Sequence, residues 1–404
     1  MIMPSRRLFL LLFAAPSFLF ASAQRSDSSH QTAYAFPQPA YHSTQDRNAA
    51  DQTAGPERHA ARNLAVIGYY AGRASEVDSF PTNELTHIIF SFGHLKGDRL
   101  HIFGSRSRAT LRKLVSLKRN HPGLKVIVSM GGWGGCRTCS AVFSTEHGRN
   151  DFVKSTVRLL RRYGADGIDL DWEYPALVNV PGYPFSPDDK DNFTELMRSL
   201  RKALGSGKVI GFAAGGFTDY LKTSIDWKNV APLVDYINLM TYDLVNGYAK
   251  TTGHHTPLYS TPEEPESTDH AVRYLDSIGV PAGKLVIGLA FYARIFKDVD
   301  SVDNGLYRPC SFWRGIDYRA FGRYFAADSG WTYHWDPVAK APWSYNAERH
   351  LMASYDDSVS VRLKTLYALH NGLGGVMFWQ LTEDKFFSGG LLDVIDETKR
   401  SAGK

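Results

Sequence analysis

From Leu64 onward, short apolar runs alternate with segments whose apolar residues recur at helical spacing. Eight runs stand out: Leu64 to Tyr70, Thr86 to Phe92, Lys125 to Met130, Gly167 to Trp172, Lys208 to Ala214, Asp235 to Thr241, Leu285 to Tyr292 and Gly374 to Gln380. Most are nearly continuous in hydrophobicity, as parallel strands covered on both faces must be. Between them, Phe193, Leu196, Met197, Leu200 and Leu204 share one helical face, and Val359, Leu363, Leu366, Tyr367 and His370 repeat the pattern before the eighth run. Eight strand and helix units predict an α/β fold of the (β/α)8 TIM-barrel type, which needs about 250 residues plus insertions. On pattern alone a doubly wound open sheet competes with it. The surplus length falls at residues 293–355, rich in Gly, Pro, Trp and Tyr, and predicts an α+β subdomain inserted between strands seven and eight on the active-site face.

The N-terminal segment reads differently. Arg6 and Arg7 precede an apolar stretch from Leu8 to Phe20 and then Ala21-Ser22-Ala23, the layout of a secretory signal peptide over residues 1–23. Ser5-Arg6-Arg7-Leu8-Phe9-Leu10 also resembles a twin-arginine signal, so export is expected by one route or the other, to the periplasm or the outside. Residues 24–62 are rich in Ser, Ala, Gln and His without hydrophobic period, the composition of a disordered linker. The folded catalytic part is expected at residues 63–404, with no membrane anchor once the signal is cleaved.

Composition narrows the function. A net charge of +5 is too weak and scattered for a dedicated nucleic-acid binder. Aromatics reach 13%. With three cysteines the chain is no disulfide-stapled miniprotein. Cys136-x-x-Cys139, in the loop after the third strand, suggests a short-loop disulfide in an exported protein, while Cys310 is left over.

The segment Asp166-Gly-Ile-Asp169-Leu-Asp171-Trp-Glu173 carries the chemistry. On a strand, Asp169, Asp171 and Glu173 point to one face at steps of about 7 Å, and Asp166 points to the other. In a barrel that face looks inward, and the last carboxylate emerges at the C-terminal rim. Crowded, poorly solvated carboxylates cannot all ionise, so at least one becomes a proton donor near neutrality. A divalent-metal site is the rival reading of the same acids.

The motif Asp166-x-x-Asp169-x-Asp171-x-Glu173 resembles the signature of glycoside hydrolase family 18, the chitinases and their relatives. Ser129-x-Gly131-Gly132, Met240-x-Tyr242-Asp243, Tyr292-x-Arg294 and Trp379 resemble further family motifs in the same order. The resemblance implies an exported chitinase that hydrolyses β-1,4-linked N-acetylglucosamine polymers by substrate-assisted retention, an oxazolinium ion taking the place of a covalent enzyme intermediate. It implies Glu173 as general acid and base, Asp171 as the group orienting the acetamido nitrogen, Asp169 as its proton-sharing neighbour, and Tyr242 as donor to the acetamido oxygen. Tyr69, Phe90, Ser129, Trp133, Met240, Asp243, Tyr292, Arg294 and Trp379 are implied in substrate binding, with Tyr248 standing where many chitinases have a tryptophan. No cofactor and no metal are implied, and chitin or its oligosaccharides are the expected partner of a monomer. An endo-β-N-acetylglucosaminidase and a non-catalytic lectin are the competing functions. Trp313 and Trp343 either wall the cleft or pack within the insertion, and His254-His255 is expected in a structural or rim role.

Overall fold

The computed structural model describes residues 64–178 and 182–403; the expected signal peptide and linker lie outside the described residues. Strands β1 (Ala65–Tyr70), β2 (His87–Lys96), β3 (Arg99–His101), β4 (Lys125–Gly131), β5 (Gly167–Asp171), β6 (Val209–Gly215), β7 (Tyr236–Met240) and β8 (Leu285–Ala290) follow in chain order. Next come β9 (Tyr292–Lys297), β10 (Ser311–Asp317), β11 (Trp331–Asp336), β12 (Ala341–Asn346) and β13 (Leu351–Tyr355), and finally β14 (Gly375–Trp379). The parallel neighbours β1, β14, β8, β7, β6, β5, β4 and β2 close into a ring through β1 and β2, so the eight apolar runs form a closed barrel and not an open sheet. The short β3 pairs antiparallel with the extended end of β2.

Strand parity sorts the residues into two cores. Outward residues such as Val66, Ile88, Val128, Ile168, Leu170, Phe212, Leu239, Leu289 and Phe378 pack against the helices, including Ser105–Ser116, Glu146–Tyr163, Asp189–Leu204 and Ser358–His370. Covering both faces of each strand is why the runs read as unbroken hydrophobicity. Inward residues form a smaller core of Ala65, Ile67, Tyr69, Ile89, Ile127, Ala213, Met240, Val286 and Met377. Register puts Ile127, Gly167 and Val209 in one row, and Ser129, Asp169 and Gly211 in the next one up. The bottom is plugged by apolar side chains together with His87 and Tyr236, whose rings meet edge to face at 4.9 Å. Apart from His87 and Tyr236, the polar residues described inside the barrel stand above this plug.

Residues 292–355 form a separate five-stranded antiparallel sheet in the order β10-β9-β13-β12-β11, with short helical turns at Tyr318–Ala320 and Phe321–Tyr324. The apolar run expected to end the seventh barrel strand at Tyr292 divides here. β8 stops at Ala290, Phe291 stacks on Phe378 at 4.1 Å, and Tyr292 opens β9. Two buried strands separated by one buried residue leave no polar break in the sequence, which explains the merged reading. Trp343 packs inside the insertion against His254 and His334, whereas Trp313 sits at its surface between Arg314 and Arg349.

One buried ion pair ties the insertion to the barrel. Lys364 and Asp356 are both 0% exposed, with Lys364 Nζ 2.8 Å from each Asp356 oxygen and 2.6 Å from both the carbonyl and the hydroxyl of Thr256. Asp356 also accepts from the Ala290 backbone at the end of β8, and Thr256 donates to the carbonyl of Thr241 just beyond β7. Burial pulls the Lys364 pKa down, and the Asp356 charge opposes this. Removing one partner strands the other charge in the interior. Lys364→Met is thus expected to cost about 3–5 kcal/mol in urea unfolding, and a loss under about 1 kcal/mol would show the pair to be energetically idle.

Candidate active site

Asp169 forms the floor of the site. Its side chain is 0% exposed, and both oxygens accept hydrogen bonds: Oδ2 from Ser129 Oγ at 2.7 Å and Tyr69 Oη at 3.1 Å, Oδ1 from Asn238 Nδ2 at 3.1 Å. The Asn238 amide also reaches the Tyr69 oxygen at 3.2 Å. These donors come from β1, β4 and β7, so the closed barrel itself assembles the cradle. Burial pushes the Asp169 carboxyl up to about 6, with the three hydrogen bonds holding it from rising further. Asp166, of opposite parity, points away and pairs with Lys118 at 2.7 Å.

Asp171, two residues along, is 4% exposed and differently provided for: its Oδ1 has no hydrogen-bond partner among the described residues. Burial first, then the charges of Glu173 and Asp169, raise its carboxyl well above the usual range. The backbone around it is tight. Gly131 adopts φ of +123°, and a Cβ there would lie 2.0 Å from the Asp171 carbonyl, so only glycine lets β4 close against β5 at this point. Glu173 follows beyond the end of β5, half-buried at the rim. Burial raises its carboxyl to about 7, a hydrogen bond from Tyr174 opposes the rise, and the Asp243 charge adds to it. A carboxyl protonated near neutrality at the mouth of a barrel is placed to give a proton to a bound molecule.

The opposite wall comes from β7 and the insertion. Met240 is 8% exposed and packs with Ala213, Tyr174, Tyr242 and Trp379. Tyr242 packs over Gly288, where a Cβ would meet its ring at 2.8 Å, and its hydroxyl has Met377 Sδ as neighbour at 3.7 Å. A thioether is a weak acceptor, so the Tyr242 hydroxyl remains available to a stronger one. Asp243, with φ of +56°, receives a two-pronged bond from Arg294, with Nε at 2.6 Å from Oδ1 and Nη2 on Oδ2. His255 Nδ1 lies 3.5 Å from Oδ1. Burial alone would raise the Asp243 carboxyl, but Arg294 and His255 together hold it below the normal carboxylate range. Tyr292 meets Tyr242 edge to face at 6.2 Å and lies under the Arg294 guanidinium at 5.0 Å. The sequence pair His254-His255 thus splits: His255 supports Asp243, and His254 contacts Asp336 at 3.2 Å in a structural role.

Aromatic residues shape the rest. Trp379 ends β14 half-buried, with Tyr69 at 6.0 Å and Phe92 stacked on it at 5.6 Å and 15°. Phe90 does not belong here. It is 2% exposed within the outer core beside Ile88, because Ile89 takes the inward position and Phe90 must face the helices. The aromatic that β2 contributes is Phe92, and alternation counted from Ile89 to Ser91 would have excluded Phe90. Tyr174, also absent from the expected set, packs edge to face on Phe217 and Tyr220 beside the Met240 cluster. Trp133, 53% exposed, and Tyr248, 65% exposed, lie 6.3 Å apart. Cys136 and Cys139 are disulfide-bonded in the segment that follows β4 and Trp133, and Cys310 is free and buried.

These residues make a cleft with one hydrogen-bonded buried acid, one unpartnered buried acid, one rim acid protonated near neutrality, and an aromatic floor. The comparisons with known proteins agree in character. The family model for glycosyl hydrolases family 18 matches residues 65–384. Chitinase A1 of Niallia circulans is 35% identical over 300 residues, 68% of this chain but 43% of that protein, so the chain spans under half its length. Chitotriosidase-1 of Mus musculus is 32% identical over 339 residues, 78% of this chain and 71% of that one. The solved structure of a family 18 N-acetylglucosaminidase from Paenibacillus barengoltzii superimposes with a TM-score of 0.76 at 35% identity, covering 83% of this chain and all of that one. With the match running from the first barrel strand past the last, the chain belongs to glycosyl hydrolase family 18.

Proposed function

We propose that the protein is an exported chitinase that cleaves β-1,4-linked N-acetylglucosamine polymers with retention, the substrate's own acetamido oxygen acting as nucleophile. The observation that carries this reading is the inequality of the two buried acids: both oxygens of Asp169 accept hydrogen bonds, while Asp171 Oδ1 has no partner among the described residues. An acetamido N–H is the kind of donor that would satisfy Asp171, and the charge developing on the ring as the acetamido oxygen attacks is stabilised by a carboxylate held beside it. Proton sharing between Asp169 and Asp171 lets Asp171 gain negative charge as that positive charge forms. Tyr242 donates to the acetamido oxygen, Met240 lines the acetyl pocket, and Trp379 supports the apolar face of the sugar. Glu173 protonates the departing glycosidic oxygen and then removes a proton from the incoming water. Asp243, held by Arg294 and His255, stays ionised beside it and supplies hydrogen-bond acceptors. Trp133 and Tyr248 offer stacking surfaces to a neighbouring sugar.

The whole cycle depends on proton positions in one row of carboxyls, with Asp169 held by three neutral hydrogen-bond donors. Chelator treatment is accordingly expected to leave the rate unchanged. Incubation with N-acetylglucosamine hexamers and with an N-glycoprotein side by side tests the substrate class. Shortened oligosaccharides whose new reducing ends appear first as β-anomers are expected. Release of single N-acetylglucosamine units alone would reassign the chain to the N-acetylglucosaminidases, in line with the structural neighbour from Paenibacillus barengoltzii. First-formed α-anomers would exclude retention.

Two variants sharpen this. Glu173→Gln is expected to lower kcat on the hexamer by roughly 10²–10⁴-fold with little change in KM; a wild-type kcat would remove Glu173 from the chemistry. The general acid works only when protonated, and its carboxyl sits at about 7. The wild-type kcat/KM should therefore decline as pH rises through about 7, and a decline already complete by pH 5.5 would mean that Glu173 is not raised.

A further inference from the structure

A second concavity lies on the outside of the barrel, between the β2–β3 hairpin and the helices Ser105–Ser116 and Glu146–Tyr163. It has a volume of about 420 Å³, and none of its lining residues belongs to the catalytic cleft. Lys96, Arg99, Arg108, Arg158 and Arg162 line it together with His101, and no carboxylate does. These cations come from three separate elements. Helix-end electrostatics accounts for Arg162, in the last turn of its helix, but not for Arg158 a turn earlier, Lys96 and Arg99 on the hairpin or Arg108 near the start of another helix.

Two of the guanidinium groups are held by the protein without being neutralised, and a third is paired with a carboxylate. Arg108 Nη1 donates to the Ile102 carbonyl at 3.2 Å. Arg162 packs over the Tyr163 ring at 5.9 Å, and Arg112 lies over the same ring at 5.6 Å. Arg99 holds Asp151, which stands outside the pocket lining, through Nε and Nη2 at 3.2 and 3.0 Å. Each guanidinium has five N–H donors, so these contacts leave most of them unused. Among the described residues Lys96, Arg108, Arg158 and Arg162 have no carboxylate within ion-pair distance. Gathering like charges in a concave site with an apolar base of Leu100, Ile102 and Leu159 is unfavourable to the folded chain by itself and favourable to an anion that enters it.

We propose that this pocket is a binding site for a compact polyanion bearing phosphate or sulfate oxygens, separate from the catalytic cleft. Planar guanidinium forks match the tetrahedral oxyanions two bonds at a time, and arginine outnumbers lysine four to one among the lining cations. A concavity of this size, open to solvent, suits a small multiply charged group and not the extended stripe that a nucleic-acid duplex requires.

The test is calorimetric titration of the full chain with inorganic pyrophosphate and, separately, with a sulfated disaccharide, in 50 mM and 500 mM NaCl. Saturable one-to-one binding of at least one probe at low salt is expected, weakened at high salt by screening. The double variant Arg158→Gln with Arg162→Gln, both on the exposed face of their helix, is expected to bind roughly tenfold or more weakly. Its thermal unfolding and its hydrolysis of N-acetylglucosamine hexamers should be unchanged. Tighter binding of pyrophosphate points to a phosphoanhydride, and tighter binding of the sulfated sugar points to an anionic glycan. Absence of binding by both probes, or equal binding by the variant, overturns the proposal.

Discussion

Everything in the cleft depends on how Asp169 is buried. A carboxyl 0% exposed inside a barrel would be costly if it were left unsatisfied, and the chain satisfies it with three neutral donors drawn from three strands. That fixes the register of β1, β4, β5 and β7 relative to one another as firmly as the apolar layers beneath. It also makes Asp169 a fixed neighbour for Asp171, whose own carboxyl is left to be shared between Asp169, Glu173 and whatever enters from the cleft. A protein donor to Asp171 Oδ1 would stabilise its charged form and, on the proposed mechanism, compete with the acetamido N–H for that oxygen.

The proton inventory follows from burial and repulsion. Along β5 and just beyond it, three carboxyls titrate above their ordinary range, each chiefly because of burial. Across the cleft Asp243 goes the other way, because Arg294 and His255 favour its charged form. A raised acid facing a depressed one is the arrangement that separates proton donor from fixed negative charge. The Lys364–Asp356 pair acts at one remove. By joining Thr256, Ala290 and, through Thr256, Thr241, it holds the ends of β7 and β8 where Tyr242, Asp243 and the first strand of the insertion begin.

Much of this was readable in the chain because barrel strands obey strict parity. Continuous apolar runs marked the eight strands, and the two-residue spacing of Asp169, Asp171 and Glu173 put them on the inner face. The same parity, applied to β2, turns Phe90 outward against the helices, although the family resemblance implies it in substrate binding. Phe92 was harder to see, since it follows the last regular pairing of β2 with β4 before the register shifts. The break at Ala290 was hidden because Phe291 is as buried as the strands it joins. The cationic pocket could not be read at all. Its arginines fall in two separate stretches of the sequence, one around the β2–β3 hairpin and one on the helix Glu146–Tyr163, and are balanced in the total by acids elsewhere, so a net charge of +5 carries no trace of their convergence.

The central claim is that burial and mutual repulsion, more than any single partner, keep a proton on this row of acids near neutral pH. Carbon-detected NMR titration of protein labelled at its Asp and Glu carboxyls, assigned with Asp169→Asn, Asp171→Asn and Glu173→Gln, addresses it directly. The Glu173 resonance is expected to titrate near 7, with Asp171 well above the ordinary aspartate range. Midpoints near 4 for both, the values of solvated carboxyls, would contradict the account.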